Sequence, residues 1–314
     1  MLLDSILAKI FYKLFLVFFS VYIAANGAPA TPSQDNVIKA SDDAVASFVI
    51  VADPQLGSLL PERYSLFQSA VKDIKASEGL DAIVCLGDMA ENGLALEYQL
   101  YYDQLSDYDI HWLGCEGNHD IRLRAYKQST KRFGTWLNTM NKSDEAPTDT
   151  FHYTTDVNGV KFIIMGSDRT EFEENYLSPE QLAWVDKELQ AQGGEPTFVI
   201  VHQPLKNTNG LPDAWGSPIK DAGSIGKQSD ELQAILDKYD NVYLVTGHEH
   251  SAFEENYYYE KVGNINSINV PSLTVNKGQT YVVEVFEDSV QFKARNLVTG
   301  QWLPQYDVII PIAQ

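Results

Sequence analysis

The chain has 314 residues, and its 44% hydrophobic content supports one sizeable core and excludes a fibrous or fully disordered protein. Its 43 acidic residues against 23 basic ones give a net charge of −20, so the average field repels polyanions and bulk nucleic-acid binding is not expected. A soluble chain kept apart from its copies by charge is the ordinary explanation of that total, and attraction of metal cations is a second one.

The chain opens with Lys9 and Lys13 ahead of the apolar run LFLVFFSVYIAA, Leu14 to Ala25, and the small-residue stretch NGAPATPSQ follows. That order is the layout of a secretory signal, expected over residues 1–27, with Ala25-Asn26-Gly27 or Ala28-Pro29-Ala30 as small-x-small cleavage sites. The run is shorter than the ~20 residues that cross a bilayer, so no stable span is expected after cleavage. An uncleaved helix starting nearer Ile6 and anchoring the protein is the alternative. The expected location is outside the cytoplasm, periplasmic or secreted. A polar linker is expected over 28–44 and a single domain over 45–314.

Within that domain, apolar runs alternate with amphipathic stretches: ASFVIVA, PERYSLFQSAVKDIKAS, DAIVCLG, LALEYQLYYDQLSD and IHWLGCEG. This is β-α-β-α-β punctuation, and strands that are apolar at every position are covered on both faces. FHYTTD and KFIIMGSD flank Asn158-Gly159, a hairpin signal. Ser178-Pro179-Glu180-Gln181 is a capping box that opens the helix LAWVDKELQ. The strands PTFVIVH and NVYLVTG follow, separated by a Gly/Asn/Pro-rich loop from Lys206 to Lys227 and a helix SDELQAILDKY. From Asn256 onward the pattern is β only. The expected fold is α/β: a four-layer α/β/β/α sandwich of two mixed β-sheets flanked by helices. Cys85 and Cys115 lie inside apolar runs and outside any CxxC pair, so they read as buried thiols, and any metal is left to N and O ligands.

Chemistry collects where strands end. ASFVIVA runs into Asp53-Pro54-Gln55, IVCLG into Asp88, WLGCEG into Asn118-His119-Asp120, TFVIV into His202, and NVYLVTG into His248-Glu249-His250. Ligands of open α/β sheets bind at that edge, because side chains there leave the core while the strand holds the backbone. Four of the six histidines sit in these termini, and His111 and His152 read as structural or surface groups. Each fragment alone has an ordinary structural explanation; their shared position is what a purely structural reading leaves unaccounted for.

The run DPQ at Asp53, GDMAENG at Gly87, GNHD at Gly117, VHQP at Val201 and GHEH at Gly247 resembles the motif series D-x-H, GD-x-x-D, GN-H-[DE], H and GH-x-H of the calcineurin-like metallophosphoesterase superfamily. The resemblance covers Ala46 to His250, and GDMAENGLALEY and LSPEQLAWVDKEL look like its cyclic-nucleotide-phosphodiesterase-like and phosphatase-like branch. It implies one metal site from Asp53, Gln55, Asp88 and His250, and a second from Asp88, Asn118, His202 and His248, with Asp88 shared. It implies two divalent or trivalent ions (Mn, Fe or Zn) that activate water for attack on a phosphomonoester or phosphodiester, carried by a small molecule or a phosphoprotein. His119 would stabilise the phosphoryl oxygens or protonate the leaving group, with Asp120 orienting its ring. Two positions depart from the pattern: Gln55 replaces the usual His, and Glu91 replaces the second Asp of GDxxD. Arg122 and Arg124 either meet a substrate phosphate or face solvent. The alternative to an enzyme is a weak or inactive relative that binds a phosphorylated ligand on the same fold.

Overall fold

The computed structural model describes residues 5–28, 31, 36–57 and 59–313. Part of the expected linker, including Pro29 and Ala30 of the second cleavage site, lies outside them.

Two sheets form the centre. The first has the order β12-β11-β10-β1-β2-β3, in which β1 (Ala46–Val51), β2 (Ala82–Leu86) and β3 (His111–Cys115) are parallel. The late strands β10 (Gln279–Val285) and β11 (Ser289–Asn296) extend it antiparallel, and β12 (Gln301–Trp302) and β13 (Val308–Pro311) share the outer edge of β11. The second sheet has the order β4-β5-β6-β7-β9-β8. Its strands β5 (Val160–Ile164), β6 (Thr197–Ile200), β7 (Val242–Thr246) and β9 (Ile265–Asn269) run parallel, while β4 (Tyr153–Val157) and β8 (Tyr259–Val262) are antiparallel edges.

The continuous apolar runs have the expected cause. In β1, Phe48 and Ile50 point between the sheets while Val49 and Val51 point to the outer helices; β2 divides the same way, Val84 and Leu86 against Ile83 and Cys85. In the second sheet Phe198 and Tyr243 face inward and Val199 and Leu244 outward. Phe48, Phe162 and Phe198 meet in the seam with ring centroids 5.1–5.2 Å apart. The outer layers are α2 (Pro61–Lys75), α3 (Ala95–Leu105), the single turn α4 (Asn118–Ile121) and α5 (Tyr126–Asn141) on the first sheet, and α6 (Pro179–Gln192) and α7 (Ser229–Leu236) on the second. The four-layer α/β/β/α arrangement is therefore present. Local signals hold as well: Asn158 and Gly159 take the positive φ of a tight hairpin, and the Ser178 hydroxyl accepts from the Gln181 amide. Both cysteines are buried and free.

The N-terminal apolar segment is helix α1 (Ile6–Asn26), longer than the run from Leu14 because Ile6, Leu7, Ile10 and Phe11 continue it while Lys9 and Lys13 stay exposed. Its 21 residues span about 30 Å, so by length and composition it is able to cross a membrane. Phe15 and Phe19 stand edge-on to Tyr64 of α2, with centroids 5.5 and 4.7 Å apart, and the Tyr12 hydroxyl donates to Asp103. The opposite face, including Phe11, Leu14 and Val17, is exposed.

Candidate metal centre

The loops that leave β1, β2, β3, β6 and β7 converge at one end of the seam. Their backbones are unusual: Asp53, Gln55, Asp88, His248 and His250 all have φ between 41° and 71°, the left-handed region that side chains seldom adopt. Such conformations cost of order 1–3 kcal/mol each and persist only where surroundings enforce them. Two glycines show the enforcement. A Cβ on Gly117 would lie 2.2 Å from Asp88 Oδ1, and one on Gly247 would lie 2.4 Å from Asp53 Oδ2, so neither loop accommodates another residue without displacing a carboxylate.

The side chains these loops deliver meet. His202 Nε2 lies 3.3 Å from Asp88 Oδ2, 3.7 Å from Asp53 Oδ1 and 3.2 Å from His248 Nδ1, and His250 Nε2 lies 3.2 Å from Asp53 Oδ1. Donor atoms of Asp88, His202 and His248 lie within 4.8 Å of one another, as do those of Asp53, Asp88 and His250, so Asp88 belongs to both groups. Ligands on bonds of about 2.0–2.2 Å sit about 3–3.5 Å from each other around one ion, which is the spacing seen here. His202 Nδ1 donates to the Leu86 carbonyl at 2.6 Å, a contact that aims Nε2 into the cluster. The Asn118 amide donates to the Glu173 carboxylate at 3.0 Å and to the Phe172 carbonyl, which leaves its buried Oδ1 without a partner; His248 Nε2 is also buried and unpartnered. Buried orphan acceptors are what a cation would satisfy.

The electrostatics of the cluster follow from the same contacts. Burial opposes charge on His202, yet the Asp88 and Asp53 carboxylates outweigh it and raise the imidazole to about 10. Burial likewise opposes charge on Asp88, but His202, His119 and His248 hold it well below the usual carboxylate range. Burial, and then the charge of His202, keep His248 well below its ordinary value. The pocket thus holds an ionised Asp88 beside His248, which burial keeps from taking up charge. Carboxylate and imidazole donors without thiolate fit Mn, Fe or Zn rather than a soft ion.

The remaining expected residues divide. His119 stands at the rim, half-buried, with Nε2 3.9 Å from Asp88 Oδ2 and Nδ1 2.9 Å from both the Glu91 carbonyl and Arg122 Nη2. Asp120 does not orient that ring. Its carboxylate turns inward and accepts from the amides of Met89, Ala90 and Gly117 and from the Tyr98 hydroxyl, tying the loop after β2 to the loop after β3. Burial raises Asp120 to about 6. Gln55 meets the cluster through its amide nitrogen, 3.2 Å from Asp88 Oδ2, while its oxygen accepts from Arg63. Arg122 pairs with Glu173 at 3.2 Å beneath Phe172, whereas Arg124 is exposed.

Three neighbours have no signal in the strand-end motifs. Arg63 comes from α2, Glu173 from the loop after β5, and Trp215 from the loop after β6, where its ring stacks on His248 with centroids 4.5 Å apart and planes at 18°. A Trp inside a Gly/Pro-rich stretch was the one visible hint.

The sequence is 27% identical over 175 residues to a 3',5'-cyclic-nucleotide phosphodiesterase of Nostoc sp. (55% of this chain, 57% of that protein). It is 24% identical over 173 residues to an Arcobacter nitrofigilis protein named "Probable glycerophosphodiester phosphodiesterase GpdQ" (54% and 56%). The chain therefore spans little more than half the length of either relative. A solved Streptococcus pneumoniae structure described as a predicted phosphoesterase overlaps 85% of this chain and 97% of its own at 11% identity and a TM-score of 0.38, too distant to carry an argument. The sequence profile described as calcineurin-like phosphoesterase matches residues 46–252, which include every loop of the cluster, and the chain belongs to that family.

Proposed function

We propose that this chain is a metal-dependent hydrolase of phosphoester bonds, acting on a phosphomonoester or phosphodiester of a small molecule or a phosphoprotein. The observation that carries this reading is the convergence of Asp53, Asp88, His202, His248 and His250 donors at the carboxyl ends of strands from both sheets. One ion would be held by Asp88, Asn118, His202 and His248, and a second by Asp53, Asp88 and His250. When bound, such a pair supplies water acidic enough to attack phosphorus near neutral pH and positive charge for the phosphoryl oxygens. The chain's own residues do the rest. The His202 contact with Leu86 and the backbone bond from His119 to Asp88 Oδ1 at 2.8 Å hold the donors in place. His119 faces the cleft from the rim, where an imidazole serves to protonate a leaving oxygen. Trp215 shields one face of His248 from water.

Both similar curated proteins are named as phosphodiesterases, so a diester is the first substrate to test. The experiment strips metal with chelator, restores Mn, Zn or Fe separately, and compares aryl phosphomonoesters with aryl phosphodiesters. Activity is expected only in restored protein and is expected to vanish in Asp88→Asn. Full turnover by the metal-free protein sinks the proposal; full metal content without turnover on any phosphoester supports the non-catalytic alternative. The basic-then-apolar layout of α1 supports work outside the cytoplasm, with the helix either removed or retained as an anchor. N-terminal sequencing of the purified mature protein decides between them.

A further inference from the structure

Gln55 stands where the motif series places a metal-binding histidine, yet its side chain is already committed. Its Oε1 accepts from Arg63 Nη1 at 2.9 Å, and its Nε2 donates to Asp88 Oδ2 at 3.2 Å. The opposite amide orientation would set NH₂ against a guanidinium and oxygen against a carboxylate, so both neighbours select the same one. Arg63 is itself pinned. The same nitrogen lies 2.7 Å from Glu91 Oε2 and 3.2 Å from the Gln55 carbonyl oxygen. Glu91 is the other residue that departs from the motif series, so the two departures belong to one three-residue unit: Glu91 anchors Arg63, and Arg63 holds the Gln55 oxygen.

For Gln55 to ligate an ion in the Asp53, Asp88 and His250 group, its oxygen would have to leave a guanidinium and turn to a second cation, presenting its NH₂ to Arg63 instead. In the other group His202 is aimed by Leu86 and Asn118 Oδ1 is unclaimed.

We propose that Gln55 is not a metal ligand in this protein, and that Arg63 and Glu91 make the two metal sites unequal: the ion at Asp88, Asn118, His202 and His248 is resident, and the ion at Asp53, Asp88 and His250 is exchangeable. This rests on the reading of the cluster as a two-metal centre. Arg63 acts here as a positioning residue, through the amide that it holds.

The test is equilibrium dialysis of the full chain against buffered free Mn²⁺, counting bound metal by elemental analysis. Wild type is expected to load in two separated steps. Gln55→Ala is expected to leave the weaker step within about threefold of wild type, since no ligand is lost. Arg63→Met is expected to tighten that step by about 10–100-fold, the range over which outer partners tune metal affinity. Loading of both ions in one step in wild type overturns the proposal, as does a Gln55→Ala protein whose weaker step weakens tenfold or more. The Gln55→Ala arm stands alone if Arg63→Met fails to fold, which its thermal melt reports. Failure of the two-metal reading looks different: no Mn²⁺ binds at all, or Asp88→Asn leaves both steps in place.

Discussion

At the scale of single residues, the side chains of His119 and Asp120, neighbours in sequence, turn opposite ways. His119 reaches the rim of the centre, and its ring meets the Glu91 carbonyl and Arg122, neither of them a donor of the cluster. His119→Ala is therefore expected to keep its metal while turnover falls by about 10²–10⁴-fold. Asp120 accepts four hydrogen bonds inside the protein and none from the His119 ring. Asp120→Ala is expected to lose metal together with activity, because two loops come loose. Metal retained at wild-type level in Asp120→Ala would refute the loop-tying role, and unchanged turnover in His119→Ala would remove that residue from the chemistry. The motif singled out both residues. It did not show which way each side chain turns, since that depends on the Met89, Ala90 and Tyr98 groups waiting on one side only.

At the scale of elements, the sequence was most legible where burial is two-sided. β1, β2, β6 and β7 are buried at every position and mostly apolar because each is sandwiched between the seam and a helix layer, and a pattern of that kind survives without knowledge of partners. The amphipathic α5, for which no element was expected, carries Phe133, Trp136, Leu137 and Met140 at helical spacing. Partner choice was not legible. Nothing in NYYYEKV or TYVVEVFED says that β8 joins the second sheet and β10 the first, because pairing depends on long-range packing that a strand's own residues do not encode. One cross-layer tie makes the outcome checkable. Arg295 on β11 is fully buried and holds Asp73 of α2 through two bonds of 2.6 and 2.7 Å, with Trp302 stacked 4.6 Å from the guanidinium. Asp73→Ala leaves that cation unpaired inside the protein and is expected to cost about 3–5 kcal/mol in urea unfolding. A loss below about 1 kcal/mol would show that water or a neighbouring carbonyl replaces the carboxylate.

At the scale of the whole molecule, the proposed centre lies across the junction of the two sheets, so ions bound there would favour the folded state over the unfolded one. Metal at about one hundred times its dissociation constant adds about 2.7 kcal/mol, worth about 5–10 °C in melting temperature for a domain of this size. Differential scanning calorimetry with and without chelator measures the difference, and Asp88→Asn is expected to show none. An unshifted melt in wild type would mean that the cluster takes no ion. The donors also come from far apart along the chain: Asp53 and His250 touch across 197 residues. On the proposed reading, a polypeptide still emerging from the ribosome carries Asp53 and Asp88 as plain solvated acids, and no fragment ending before His250 presents the full set of donors. Cation uptake then becomes a late stamp of completion, one that ties the yield of finished protein to the trace-metal supply of the compartment where the last strands close.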